Sequence, residues 1–421
     1  MATSNNHPVH APTPLWAVLT LTFLGSLGTG AVTNGFSFIA TEGLGYGRRM
    51  NLLLALVLGG SYIGGALASG SIVRAIGKKS TALPPRRLLS VVLGAIGLVC
   101  FLPLAAQHFF PAQIEMALWI LILVFSPMTG VLWPVVEGYL SGGRRAEALR
   151  SAIGQFNIVW SGALVVAFWG MAPLLASAPF VILAILGLAH FLMIGILRWF
   201  PEYPPKHIDH DAQPVPEVYT QLLTLFRVLL IASYIVLSTL SPLLPIVETK
   251  LGIAVHWQTP IASAWLTTRV VMFIWLERWH GWHGRWSTPW IGLLLMLIGF
   301  ACCMICPLFG SAGTAVLIGG LGITGCGIAI TYYGALYYAM SVGNAEVDAG
   351  GKHEAMIGMG YTLGPLCGIA GLGLAGPNND DGFRIWVIIL ISLAVLITTG
   401  FGWVMLARQR RRAPFEAPSP H

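Results

Sequence analysis

Twelve apolar stretches of about 20 to 30 residues, separated by short polar loops, fill this chain. No soluble core has room for so many. A helix needs about 20 apolar residues to cross the hydrocarbon of a bilayer. The spans read 15–40, 50–73, 88–107, 114–140, 152–173, 178–200, 219–245, 258–279, 288–309, 312–340, 354–376 and 384–407. Lipid offers no partner to a free backbone N–H or C=O, so spans must be helices or strands of a closed barrel. Barrel strands alternate over short lengths, and none of these runs alternates. Composition agrees: 56% of the 421 residues are hydrophobic, 9% are charged, and the mean hydropathy is +0.76. The expected fold is an all-α integral membrane protein of twelve transmembrane helices.

Orientation follows from the basic residues. Of 23 Lys and Arg, Arg227 and Arg269 lie inside spans, Arg48, Arg49, Lys250 and Arg384 lie on one side, and the remaining 17 lie on the other. Basic loops stay cytoplasmic, which puts both termini in the cytoplasm, as in a bacterial inner-membrane protein. The net charge of +7 follows from that topology and the basic tail 408–421, so no nucleic-acid partner is read from it. The tail anchors the inner side or attracts anionic lipid. Residues 1–14 contain no Lys or Arg, so no signal-peptide n-region is expected and the first span is kept.

The longest polar stretch, 201–218, divides the chain into six spans (1–200) and six more (219–407). Its His207, Asp209, His210 and Asp211 have metal-ligand chemistry, but in a proline-containing linker they read as a solvated spacer. All six cysteines fall inside spans, and Cys303 and Cys306 lack a charged or histidine neighbour in sequence, which favours packing over metal or redox work. No cofactor is called for. The halves echo one another weakly: Ile153-Gly154 opens span five and Ile357-Gly358 opens span eleven. Paired repeats with a ligand site at their interface are a recurring transporter design.

Several segments carry a family resemblance. Between spans two and three the chain reads Gly70-Ser71-Ile72-Val73-Arg74-Ala75-Ile76-Gly77-Lys78-Lys79; span four ends Trp133-Pro134-Val135-Val136-Glu137-Gly138-Tyr139; span five opens with Phe156-Asn157-Ile158-Val159-Trp160-Ser161. Tyr332-Tyr333-Gly334-Ala335-Leu336-Tyr337-Tyr338, and Lys352-His353-Glu354 followed by Gly358 and Gly364-Pro365, complete the set. Together with the six-plus-six arrangement, these resemble the major facilitator superfamily over essentially the whole chain. The resemblance implies two pseudo-symmetric six-helix halves, a cavity lined by spans one, four, seven and ten, and gating or structural roles for Gly70, Gly77, Lys78, Glu137, Asn157, Glu354, Gly364 and Pro365. The chain departs from the loop pattern G-x-x-x-D-R-x-G-R-K/R at Arg74 and Ala75, losing the acid that the resemblance assigns to a locking charge network. Span four also lacks the arginine of many proton-coupled members, so proton antiport is not read here.

Within the spans, Arg269 is the one full charge near a span's middle, where burial is costly. Trp265 and Phe273 lie one turn to either side, placed for cation–π contact. It is either a counter-charge for an anionic substrate group or a packed structural arginine. Glu137, near the inner end of span four and within reach of Arg144 and the basic loop 74–87, is expected to form an ion pair that gates the inner side, a proton site being the alternative, and Glu354 is expected to cap the start of span eleven. Ser26, Thr29, Thr33 and Ser37 share a face of span one, with Asn34 beside it; Tyr234, Ser238 and Ser241 share one on span seven, and Tyr333 and Tyr337 one on span ten. Of these, Thr33, Asn34, Ser238, Arg269, Tyr333 and Tyr337 are the expected substrate contacts. The competing reading is close helix packing through small hydroxyls. With no acid placed at mid-membrane, the pattern leans away from strongly cationic substrates.

The function expected is secondary transport of a small organic solute by alternating access, by a monomer in the lipid bilayer, with the coupling ion open. A non-transporting sensor or scaffold of the same fold is the alternative. A membrane-embedded enzyme would need an interfacial cluster richer than His280, His283 and Glu277, and no phosphate-binding loop for primary active transport is present.

Overall fold

The computed structural model describes residues 11–78, 83–144, 146–205, 216–342, 347–376 and 379–412, and every regular element among them is helical. In chain order these are α1 (Leu15–Gly28), α2 (Phe36–Leu44), α3 (Arg48–Lys78), α4 (Pro85–Phe109), α5 (Ile114–Ser141), α6 (Ala146–Leu175), α7 (Pro179–Ile196), α8 (Glu217–Lys250), α9 (Val255–Ala262), α10 (Ala264–Arg278), α11 (Ser287–Ile305), α12 (Gly313–Ser341), α13 (Val347–Ala375) and α14 (Asp380–Arg412). Among the described residues, 11 stretches are long and apolar enough to cross a membrane. The outward faces carry exposed Leu98, Leu123, Leu192, Leu294, Ile397 and Phe401, a surface suited to lipid and not to water. This is a multi-pass membrane protein.

One stretch, Ser287–Ala339, runs together two expected spans, yet it is no single rod. A 3₁₀ segment, Cys306–Ala312, carries Gly310 at φ 54°, a left-handed conformation that glycine adopts without a Cβ penalty. Beyond it α12 folds back along α11, so that Gly299 faces Gly320 and Thr324 while Gly292 faces Ile330 and Thr331.

Three expected boundaries move. Span one is not one continuous α-helix: a π-helical turn, Thr29–Asn34, joins α1 to α2, and Asn34 Nδ2 donates to Thr29 O at 3.1 Å. Span eleven begins at Val347, about two turns earlier than Glu354. The last helix continues into the basic tail as far as Arg412. Gly70, Gly77 and Lys78 close α3 where side-chain surroundings lie outside the described residues, as do Lys79 and residues 206–215 of the linker.

The sequence-distant segments meet along α3 against α13, α8 against α13 and α2, and α6 against α9 and α10. Gly364 makes one of these contacts possible, because a Cβ there would run into Ser238 Oγ and Ile235 O on α8. Pro365 follows it inside α13. Near the start of α3, Asp380 is held between Arg48 and Lys250, tying α3 to α8 and α14.

Candidate functional site

A cavity opens where these contacts diverge. It is lined by Thr29 and Thr33 from the π-turn, Tyr62 from α3, Thr129, Trp133 and Glu137 from α5, Phe156 and Trp160 from α6, Tyr234 from α8, Tyr332 from α12, and Glu354, Ile357 and Tyr361 from α13. Enclosed space amounts to about 30 Å³, so a solute of any size needs the wall to part further than it does here. Helical periodicity explains the selection: residues 129, 133 and 137 share a face at one-turn spacing, as do 156 and 160, and 354, 357 and 361. The π-turn presents both Thr29 and Thr33 to the same space.

Its walls are aromatic. Tyr361 packs edge-on against Tyr62 (ring centroids 5.9 Å apart) and Tyr234 (5.0 Å), and Trp133 packs edge-on against Phe156 (6.3 Å). Trp160 and Tyr332 stack at 5.5 Å with planes 19° apart. Into this aromatic setting come two carboxylates. Glu354 is buried and its Oε2 accepts from Tyr62 OH at 2.5 Å. Glu137 is half-buried and makes no ion pair among the described residues.

Both glutamates therefore stand differently from the expectation. Arg144, the partner anticipated for Glu137, is itself buried and spends its guanidinium on the backbone carbonyls of Tyr139, Leu140 and Thr13. Glu354 caps no helix, since α13 starts at Val347. Its side chain faces the cavity instead. Two acids thus join the hydroxyls and rings that the sequence pattern placed around a site.

Arg269, 1% exposed, sits behind the wall and does not line it. Its Cζ lies 4.4 Å from the Trp160 ring centroid, 5.0 Å from Trp265 and 6.0 Å from Phe273. The two flanking rings are those that one-turn spacing suggests, while Trp160 comes from another helix. Arg269 Nε and Nη2 have no hydrogen-bond partner among the described residues, so the rings carry its stabilisation.

Of the other expected contacts, Thr33 lines the cavity. Asn34 is turned onto its own backbone. Ser238 Oγ donates to Gly360 O at 2.9 Å, a helix–helix contact, and Ser37 Oγ donates to Ser241 O at 3.0 Å. Asn157 is buried beside Phe156 with Nδ2 unpartnered. Tyr333 and Tyr337 lie elsewhere, in a cluster around Trp282. There Tyr337 stacks on His283 at 4.1 Å with OH···Nδ1 3.1 Å, and burial, helped by nearby His280 and Arg150, lowers the His283 pKa to about 4. Tyr332, on the neighbouring register, is the residue of that run that reaches the cavity.

No sequence family and no curated protein matches the chain, but solved structures do. The nucleoside transporter NupG shares 12% identity over 93% of this chain and 98% of its own, with a TM-score of 0.61. A bacterial homologue of the human lysosomal transporter Spinster, inward-facing and unoccupied, shares 13% identity over 93% and 96%, at 0.63. A structure described for substrate recognition in proton-dependent oligopeptide transporters shares 12% identity over 94% and 98%, at 0.66. These likenesses speak to architecture, and each spans nearly both whole chains. The fold of this protein is that of the major facilitator transporters.

Proposed function

We propose that the protein is a secondary transporter that carries a small organic solute across a bacterial inner membrane by alternating access. In this reading it has twelve spans in two six-helix halves, 1–200 and 219–407, joined by the 201–218 linker, with both termini cytoplasmic. The α11–α12 hairpin supplies the ninth and tenth spans. One observation carries the reading: the cavity draws its wall from both halves, with α3, α5 and α6 facing α8, α12 and α13. A site divided between two bodies changes its access when they rock against each other. Solved structures it resembles include nucleoside and oligopeptide transporters, which favours an organic solute over a bare ion.

The test is flux. Purified protein reconstituted in liposomes should exchange a labelled solute found by thermal-shift screening, and quaternary amines, nucleosides and short peptides should be in the screen. A ligand that stabilises the protein but never crosses, under any imposed proton, sodium or solute gradient, would leave the sensor or scaffold reading in its place.

A further inference from the structure

Two glutamates line the cavity, and neither has an ion-pair partner among the described residues. Among the described residues no Lys, Arg or His lines the cavity. Arg269 lies behind the wall over the Trp160 ring, against which Tyr332 stacks, and His353 packs edge-on against Tyr332. Tyr62 donates to a single oxygen of Glu354. The other side-chain oxygens of the two glutamates make no hydrogen bond among the described residues, and a positive charge entering the cavity would favour their ionised form. Around them stand rings whose faces attract positive charge.

We propose that this cavity takes an organic cation, an amine or quaternary ammonium on an apolar or aromatic body. Glu137 and Glu354 supply the counter-charge, and Tyr62, Tyr361, Tyr234 and Trp133 hold the body. An anion would meet two carboxylates and, for donors, only Tyr and Thr hydroxyls and an indole N–H. A neutral solute would leave the carboxylates uncompensated. A cation gives both glutamates a partner in their ionised form. Trp160 also lines the wall, with Arg269 and Tyr332 packed on its ring. The inference rests on the transporter reading for movement across the membrane, and not for binding.

The experiment compares tyramine with para-ethylphenol, which keeps the ring and loses the ammonium, by calorimetry on full-length protein in nanodiscs. Tyramine is expected to bind at least about tenfold more tightly than the phenol. Glu137→Gln and Glu354→Gln should each weaken tyramine by about tenfold or more, with size-exclusion profile and melting temperature retained. Should Glu354→Gln fail to fold, Glu354→Asp, which keeps the charge and shortens its reach, must still weaken tyramine. Equal binding of the two probes, no tyramine binding, or unchanged affinity in both glutamine variants overturns the proposal. Liposome flux separates this from the transporter reading. Tyramine that binds and does not cross sinks transport and keeps the cation site; a neutral or anionic solute that crosses, with tyramine unbound, does the reverse.

Discussion

Two places in this molecule hold acidic side chains between sequence-distant helices, and they are built on opposite terms. At the start of α3, Asp380 sits between Arg48 and Lys250, all three part-exposed. In the cavity, Glu137 and Glu354 sit among rings with no cation on the wall. The first arrangement is complete in itself and ties helices together, as a closed contact should. The second has acceptors left over. A charge that is already answered makes a latch, whereas a charge left unanswered in an enclosed space makes a site.

The sharpest way to break that contrast is to answer the cavity's charge permanently. Thr33→Lys places an ammonium on the wall, where it can reach the glutamates. Tyramine affinity is expected to fall by about 100-fold, on the order of 2.7 kcal/mol, as measured by calorimetry. Retained affinity would show that the missing cation is not what defines the site.

Arg269→Lys gives the next largest effect. It keeps a charge behind the wall but loses the planar face that lies over Trp160, costing about 2 kcal/mol of stability. A drop of several degrees in melting temperature in detergent is the readout, and no drop would mean that the rings do not carry this cation. Smallest of the three is Asp380→Asn, which opens the latch. Part-exposed ion pairs contribute about 1 kcal/mol or less, so the melting temperature should hardly move. Alkylation of a cysteine placed at Val247, which lines a pocket with Arg48 and Lys250, should nevertheless speed up a few-fold on a cysteine-free background. Unchanged labelling would show that the contact does not hold the two sides together.

Much of the architecture was legible in advance, because lipid imposes a strict length and polarity rule on every span. The site was legible only in pieces. Four of the five segments that carried the family resemblance, around Trp133 and Glu137, Phe156 and Trp160, Tyr332, and Glu354, reach the cavity wall. The local surroundings of the two glutamates differ from expectation, in one case because hydropathy marks where apolar character ends and not where a helix ends. With span eleven begun at Glu354, that residue looked like a cap; α13 in fact begins at Val347, so the glutamate lies inside. Arg144 seemed the natural partner of Glu137 by proximity in sequence, yet its guanidinium is consumed by three carbonyls. Tyr333 and Tyr337 share a face, as spacing said, but nothing in a single sequence tells which face of α12 looks inward. The neighbouring Tyr332 does, and its stacking partner, Trp160, lies far away in the chain.

The Arg269–Trp160–Tyr332 stack also bears on time. Trp160 is on α6, in the first proposed half, while Arg269 and Tyr332 are on α10 and α12 of the second. If the halves separate along α6 during a transport cycle, both contacts of one indole must be broken before the cavity can open that way. Parting such contacts adds about 2 kcal/mol to the barrier, which slows the step by roughly 30-fold. Turnover would then be paced by how firmly one tryptophan holds its two neighbours across the halves.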